Sequence, residues 1–591
     1  MNNTYSSNDK MISSLFSKLL PVQVLTYLLG TLNVMADGLF AGNFVGSAAM
    51  SAIGFYYPLS RIMITIGEVM FGGTQVVCGK FMGRNQSDKI SGVFTLNIIS
   101  VTAFGLLMGA VMYLFAGPMS SAFGAEGDAY VQLKGYIIGS AFSVIPQLLC
   151  QQFTSFLSMQ RREKYVTVTS VLFIIISIVA NFLFVNILHL EMFGLALATA
   201  ISYWIFAILL AASYFTKKSS IKFKIKEIEF KVLGKILKYG YVSALSSFYQ
   251  IIRGFVLNYL LCRYGGMDAV AALAAYNTLG SFLFSFPLGI VSVYRLLASV
   301  STGDEDRTML KKVSKVAMMK FGLITLVFSV LICIFAVPCT YIFFRNPAET
   351  VFALTVLVFR IYPLSIAFSL ICMLFVAYGQ VMKKNALVQV LSFFDGLGGT
   401  LLFGFTLSPL FDFVGLLWTQ VLNGIFTNVI VLIFAIAGKK RIPKNLEDLL
   451  CIPDGFGADD ENRMDITLIT LESVVKISEQ IQEFCLSKNI DERRSYFAAL
   501  SLEEMAGNVL KHGFTKDKRN HHVDVRVTNI SENLTLRIMD DCPTFNPMER
   551  EKFFDPAHDK VSNIGVRIVH SLSSDMTYQN LLGLNVLTIK I

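Results

Sequence analysis

Long apolar runs separated by short polar ones fill the first three-quarters of the chain. Each run reaches the roughly 20 residues that a helix needs to cross a bilayer. They fall near 14–40, 51–77, 92–117, 131–157, 165–188, 192–215, 238–262, 269–299, 316–343, 351–379, 385–408 and 412–437. The pattern predicts twelve transmembrane helices, with Gly and Pro tolerated inside them because neighbouring helices satisfy the freed backbone groups. Met1 to Lys10 lacks the basic start and short apolar core of a cleaved signal peptide, so the first run is expected to be retained. After Ile436 the apolar runs stop. Gly438 to Lys444 is basic, Glu447 to Arg463 is polar with Pro453, Gly455 and Gly457, and the stretch reads as a linker.

The membrane part repeats itself. Gly46, Ala49, Ala52, Tyr56, Leu59 and Gly83 recur 220 positions later as Gly266, Ala269, Ala272, Tyr276, Leu279 and Gly303. A second match aligns Phe193–Thr199 with Val414–Gln420. Two related lobes of six helices follow, at 1–225 and 226–440, with a linker at 441–463 and a further domain at 464–591. Repeated lobes in a membrane point to a transporter.

Composition agrees, with 54% hydrophobic residues, 15% charged residues and a mean hydropathy of +0.59. The net charge of +9 is unevenly placed. Up to Arg441 there are 33 Lys+Arg against 17 Asp+Glu, and beyond it 17 against 24. The basic excess belongs to the membrane part, so the charge does not call for nucleic acid. Alternate loops carry it: Lys80, Arg84 and Lys89; Arg161, Arg162 and Lys164; the run Lys217 to Lys238; Arg307, Lys311, Lys312 and Lys315; Lys383 and Lys384. The loops between hold Arg263 and Arg345 beside Glu126, Asp128, Glu191 and Asp412. The positive-inside rule places the basic loops and both termini in the cytoplasm. Nine scattered cysteines without a Cys-x-x-Cys pair suit a reduced compartment and no disulfide framework.

A charge inside hydrocarbon is expensive unless it faces a cavity, so polar groups within the spans are the functional candidates. Asp37 stands out towards the outer part of the first span, with Asn33 one helical turn before it on the same face. A solvated position at the membrane boundary is the competing reading. Arg253 and Arg295 suit structural pairing or snorkelling. Gln250, Asn181, Thr199 and Gln75 suit either a cavity lining or interhelical hydrogen bonds.

Over Leu15 to Ile436 the chain resembles the multidrug and toxic compound extrusion (MATE) transporters. The resemblance runs through Pro21, Asp37 with Gly42 and Gly46, Pro58, and Gly-Leu-Ala-Leu-Ala-Thr at Gly194 to Thr199. It implies two six-helix lobes in a V that exchange a small organic substrate for protons or sodium by alternating access. Asp37 then matches the first-helix carboxylate of cation coupling, with Asn181 and Thr199 around it. Two positions depart from the pattern: Val185 stands near where a fifth-helix Asp is expected, and Gln250 where sodium-coupled members have an acid. Asp37 is left as the main acid of the spans.

The final segment, Asp465 to Ile591, predicts an α+β domain: a strand at 466–470, helices at 473–487 and 492–512, strands at 522–528 and 534–539, a helix at 564–572 and two closing strands. Its antiparallel sheet is expected to be covered on one face. Glu504, Asn508 and His512 recur every four residues and share a helix face, which a merely solvated face also explains. Arg537 to Pro543 ends a strand in acids and turn residues. Asn563 to Val569 puts a Gly where a loop enters a helix, as phosphate cradling requires. In this order the three boxes resemble the GHKL (histidine-kinase-like) ATPases, most closely the bacterial anti-sigma factor serine kinases. The resemblance implies ATP and Mg2+ as ligands. Asn508 becomes a magnesium ligand, Glu504 a catalytic acid or base, Asp540 the adenine-reading carboxylate and Gly565 a glycine of the phosphate loop. Cys542 and Asn563 replace glycines of that pattern, which suits binding better than fast turnover. No Walker A sequence is present in this tail, which excludes an ABC-type pump.

Two function classes are expected. One is a MATE-type exporter with a nucleotide-sensing tail. The other is a membrane-anchored serine kinase or partner-switching sensor, acting on an anti-sigma-antagonist-like protein, with the lobes as sensor. A flippase of lipid-linked substrates shares the two-lobed architecture.

Overall fold

The computed structural model describes residues 6–591 except 46, 85, 87, 123, 124, 126, 161, 217, 218, 345, 346, 454, 459, 469, 514–522, 531, 532, 544, 545, 548–563, 582 and 583. The expected loop residues Glu126, Arg161, Lys217 and Arg345, and the loop residue Asn563, lie outside the described residues, as does the side chain of Asn33.

All twelve expected apolar segments fall on helices. Among the described residues nine helices are long and apolar enough to cross a membrane, or ten if the bent pair Tyr130–Ala141 and Val144–Met159 is one span. The difference from twelve has physical causes. Lys231, Lys235, Lys238, Arg253 and Arg263 dilute the first half of the long helix Phe230–Gly303, and Asn385–Lys439 passes as one stretch although it is broken at Phe411 and Asp412. The helix Phe230–Gly303 is itself two helices meeting at Gly266, whose φ of +69° is a left-handed conformation open to glycine at little cost.

The two halves of the repeat meet each other. Gly83 ends the helix Ser47–Gly83, Gly303 ends Phe230–Gly303, and each lies against the other helix so closely that a Cβ would strike backbone: Val300 O and Asp304 N at Gly83, Lys80 O at Gly303. Only glycine fits such a crossing. Further along the same seam Gln75 Nε2 donates to Ser292 Oγ at 2.9 Å, and Ser292 Oγ donates to Gln23 Oε1 at 2.9 Å. Lys80 Nζ crosses to Tyr239 Oη at 3.1 Å and the Val381 carbonyl at 2.7 Å. The lobes are closed at this end.

The tail forms a five-stranded antiparallel sheet of β1 (Arg463–Leu468), β2 (Val523–Ile530), β3 (Asn533–Asp540), β4 (Asp575–Leu581) and β5 (Leu584–Lys590), in the order β1-β2-β3-β5-β4. Strand periodicity sorts its faces. Ile466, Leu468, Val523, Val525, Val527, Leu536, Ile538, Leu587 and Ile589 face one way and form a core with Ile481, Phe497, Leu502 and Val569 from the helices Glu472–Ser487, Glu492–Asn508 and Ile564–Leu572. Each such Val or Leu contributes about 1.5–3 kcal/mol on burial.

The opposite face carries Arg463, Asp465, Asp524, Arg526, Arg537, Met539, Gln579 and Val586, and it is also covered. The expectation of a sheet covered on one face is therefore corrected. The charged face rests on the closed end of the lobes, where Met539 and Val586 join the apolar cluster of the membrane helices.

Candidate functional site

Two sites emerge, one in the first lobe and one in the tail. In the lobe, the Asp37 carboxylate is buried. It accepts hydrogen bonds from Asn181 Nδ2 at 3.0 Å and from Thr199 Oγ1 at 3.3 Å to each oxygen. Asn181 ends the helix Glu163–Asn181, and Thr199 lies in Glu191–Ala212, so three helices converge on one carboxylate. Both donors are neutral. The Asn181 Oδ1 beside them is buried without a hydrogen-bond partner among the described residues. Around this core stand Tyr56, Tyr136 and Tyr203, close enough to feel the Asp37 charge, with the Tyr56 and Tyr136 rings edge to face at 4.8 Å. Sequence reasoning missed these tyrosines as neighbours, although Tyr56 belongs to the repeat.

The hydrogen bond described for Gln250 lies elsewhere: its Oε1 accepts from Arg61 Nη2 at 3.4 Å across the lobes. Asp37 is also not the lone acid of the spans. Glu68, in the helix Ser47–Gly83, sits within the fields of Arg61 and Arg295, and Asp395, in the segment near 385–408, lies by Arg253, whose Nη1 donates to the Asp395 carbonyl at 3.2 Å. A single acid inside a long apolar run was the available signal for both, and the same rule that selects Asp37 selects them. Arg295 takes its place near Tyr27 and Glu68, in keeping with a pairing role.

In the tail the three boxes come together. Glu504 and Asn508 sit one turn apart on Glu492–Asn508, a helix started by Asp491, whose side chain accepts from Arg494 N at 2.9 Å. A Cβ at Gly565 would strike the Glu504 carboxylate, so the glycine at the head of Ile564–Leu572 admits that acid. After Asn508 the chain continues as a π-turn to Gly513, which packs on Cys542. That contact brings the end of the helix to the turn after Asp540. Asp540 Oδ1 accepts from Cys542 N at 3.0 Å and from Asn585 Nδ2 at 2.7 Å. Burial pushes the Asp540 carboxyl above the ordinary carboxylate range, opposed by the Asn585 and Cys542 donors. The residues fit a purine and a phosphate chain: a carboxylate acceptor at a strand end, an amide one turn from a second carboxylate, and a glycine at a helix entrance. No group of three or more His, Cys, Asp or Glu that could hold a metal occurs among the described residues. A magnesium ion here would take an amide oxygen and rely on the nucleotide's own phosphates, as that ion commonly does.

A two-lobed polytopic membrane protein with an acid buried at the meeting of three helices, joined to a soluble α+β nucleotide-type domain, is a transport protein carrying an ATPase-like tail. The chain belongs to the MatE family, whose model matches residues 23–183 and 243–410, more than half its length. A histidine kinase-like ATPase domain matches residues 468–591. Curated relatives include Multidrug export protein MepA of Staphylococcus aureus (strain bovine RF122 / ET3-1), 24% identical over 418 residues, covering 67% of this chain and 88% of the relative. Its namesake in Staphylococcus haemolyticus (strain JCSC1435) is 22% identical over 435 residues, covering 71% and 92%. The fold is shared with the Vibrio cholerae MATE transporter VcmN in the bent form, with a TM-score of 0.64 at 18% identity, covering 72% of this chain and 97% of that one. A MOP superfamily transporter from Pyrococcus furiosus gives a TM-score of 0.64 at 18% identity over 73% and 97%.

Proposed function

We propose that the protein is a secondary active exporter of small organic compounds, driven by proton or sodium exchange at Asp37 and regulated by ATP bound in its tail. The lobes move substrate by alternating access, and the tail and both termini lie in the cytoplasm, as the basic loops suggest. The relatives' printed name, multidrug export protein, supports a small organic substrate.

The Asp37 constellation carries this reading. The donors described at this carboxylate, Asn181 and Thr199, are neutral, and neutral donors orient a carboxylate without cancelling its charge, which suits a cation that binds and leaves. The spare Asn181 oxygen supplies a second acceptor for that cation. Loading and release then bias the two lobe arrangements differently, which is all that coupling requires. Uptake into vesicles under imposed proton and sodium gradients tests it. Asp37→Asn is expected to abolish gradient-driven transport in a protein that still folds, and undiminished transport would refute the assignment.

In the tail, Asp540 accepts the adenine amino group, Asn508 holds magnesium, Glu504 acts on the phosphate side and Gly565 leaves room for the phosphate chain. Regulation has a short path. Met539 and Val586, which pack on the lobes, directly adjoin Asp540 and Asn585 in sequence. Calorimetry with magnesium ATP on the full chain tests the site, and absence of binding would remove it.

A further inference from the structure

Three acids in a row, Asp304, Glu305 and Asp306, directly follow the seam glycine Gly303 and precede the basic stretch Arg307 to Lys315. This acidic turn is where the tail binds. Arg463 Nη1 reaches Asp306 Oδ1 at 3.0 Å, Arg526 Nη1 pairs with Asp306 Oδ2, and Arg537 Nη1 pairs with Asp304. Asp465 braces the two outer guanidinium groups, at 2.5 Å from Arg463 Nε and 2.9 Å from Arg526 Nε. Asp306 also caps the next helix by accepting from Met309 N at 2.9 Å, so the turn cannot move without its helix. The linker joins in. Glu447 pairs with Arg307 and with Lys311 at 2.7 Å, and Gly457 lies against the Glu305 carbonyl.

These contacts belong to the second lobe. The same sheet face also holds the first: Gln579 Nε2 donates to the Met82 carbonyl at 3.0 Å, one residue before the seam glycine Gly83. Met539 and Val586 complete an apolar cluster containing Val77 and Met82 from the first lobe and Leu296 and Val300 from the second. One rigid sheet therefore touches both sides of the Gly83–Gly303 crossing. Separating the lobes at this end would have to tear either Gln579 from Met82 or the three arginines from Asp304 and Asp306.

We propose that the charged face of the tail's sheet is a clamp across the two lobes, holding them closed at the tail end so that the transport cavity opens to the opposite side of the membrane. The proposal rests on the alternating-access reading and adds to it the device that sets the balance between the two arrangements. The tail acts by occupying one lobe arrangement and not the other, so its contacts shift the equilibrium without driving it. The arginine face suits that acidic turn: an unpaired guanidinium is costly to bury, each of these three meets a lobe carboxylate, and within the sheet Asp465 supplies a further partner to Arg463 and Arg526.

The test is a distance across the seam in the full-length protein in lipid nanodiscs, in a background without native cysteines. Arg84→Cys and Lys383→Cys, exposed on opposite lobes, carry spin labels. The intact clamp is expected to give one short distance. Arg526→Ala with Arg537→Ala, and separately Asp306→Ala, should raise the population of a second, longer distance at least tenfold. Should those variants fail to insert, Asp306→Arg and Asp306→Arg with Arg526→Asp decide the matter, because the paired reversal should recover the short distance that the single one loses. Unchanged distances in the alanine variants, or a paired reversal no closer than the single one, overturn the clamp. The readout is geometry and not uptake, so a protein that transports nothing under any gradient still answers it, and the two readings fail separately.

Discussion

Asp37 and Asp306 are buried to nearly the same degree, 6% and 4% exposed, yet their surroundings are opposite. Asp37 meets an amide and a hydroxyl, whereas Asp306 meets two guanidinium groups and a backbone N–H. Neutral donors orient a carboxylate without cancelling its charge, so a mobile cation can still bind and leave. Guanidinium groups cancel it permanently. Burial alone would raise the Asp306 carboxyl, but Arg526 and Arg463 override this and hold it at about 2. On the proposed function the comparison separates a site that can switch from one that anchors, with burial common to both.

The largest expected effect breaks the first half of this comparison. Supplying Asp37 with a fixed partner, by Thr199→Lys, should stop gradient-driven transport as completely as Asp37→Asn, measured as uptake in vesicles, because the charge would then be cancelled in both lobe arrangements. Next comes the anchor. Asp306→Ala leaves Arg463 and Arg526 buried with Asp465 alone and should weaken docking of the tail by about 3 kcal/mol, the low end for breaking a buried pair, seen as faster proteolysis in the linker. Arg526→Met, which removes a charge as well, should cost less than that. Smaller again are the nucleotide variants: Asn508→Ala and Asp540→Asn should each raise the calorimetric Kd for magnesium ATP about tenfold, or about 1.4 kcal/mol.

The smallest effect at ordinary pH is on docking itself. A carboxylate with a depressed value in the docked state contributes stability above its free value and loses it as pH falls through the docked one. For Asp306 that window runs from about 4, the ordinary carboxylate value, down to about 2. Linker proteolysis by an acid-tolerant protease should therefore be flat from neutral pH down to about 4 and rise only below it. A rise near neutrality would mean that another group controls the anchor.

Much of this molecule is written in local pattern. Apolar run length places the membrane helices, and alternation in 523–540 and 575–590 places the strands, because both depend on side-chain periods of a few residues. The offset of 220 residues between Gly83 and Gly303 was legible as well, though not that the two glycines touch. Asp37, Asn181 and Thr199 could be named singly, since each is a polar residue in an apolar run. Glu68 and Asp395 were equally legible by that rule.

What the sequence alone determined is therefore the elements, the duplication, the polar positions inside the spans and the order of the tail's three boxes. Only the tertiary structure decided which of these meet. Alternation in β1, β2 and β3 distinguishes an apolar face from a charged one, and a charged face ordinarily means water. Arg463, Arg526 and Arg537 are buried against residues more than 150 positions earlier, Asp304 and Asp306, in the turn between two lobe helices. Gln250 gives another case, a polar span residue whose described partner, Arg61, comes from the other lobe. Contacts of that range are set by helix packing angles and loop lengths, and no periodicity of a few residues encodes them.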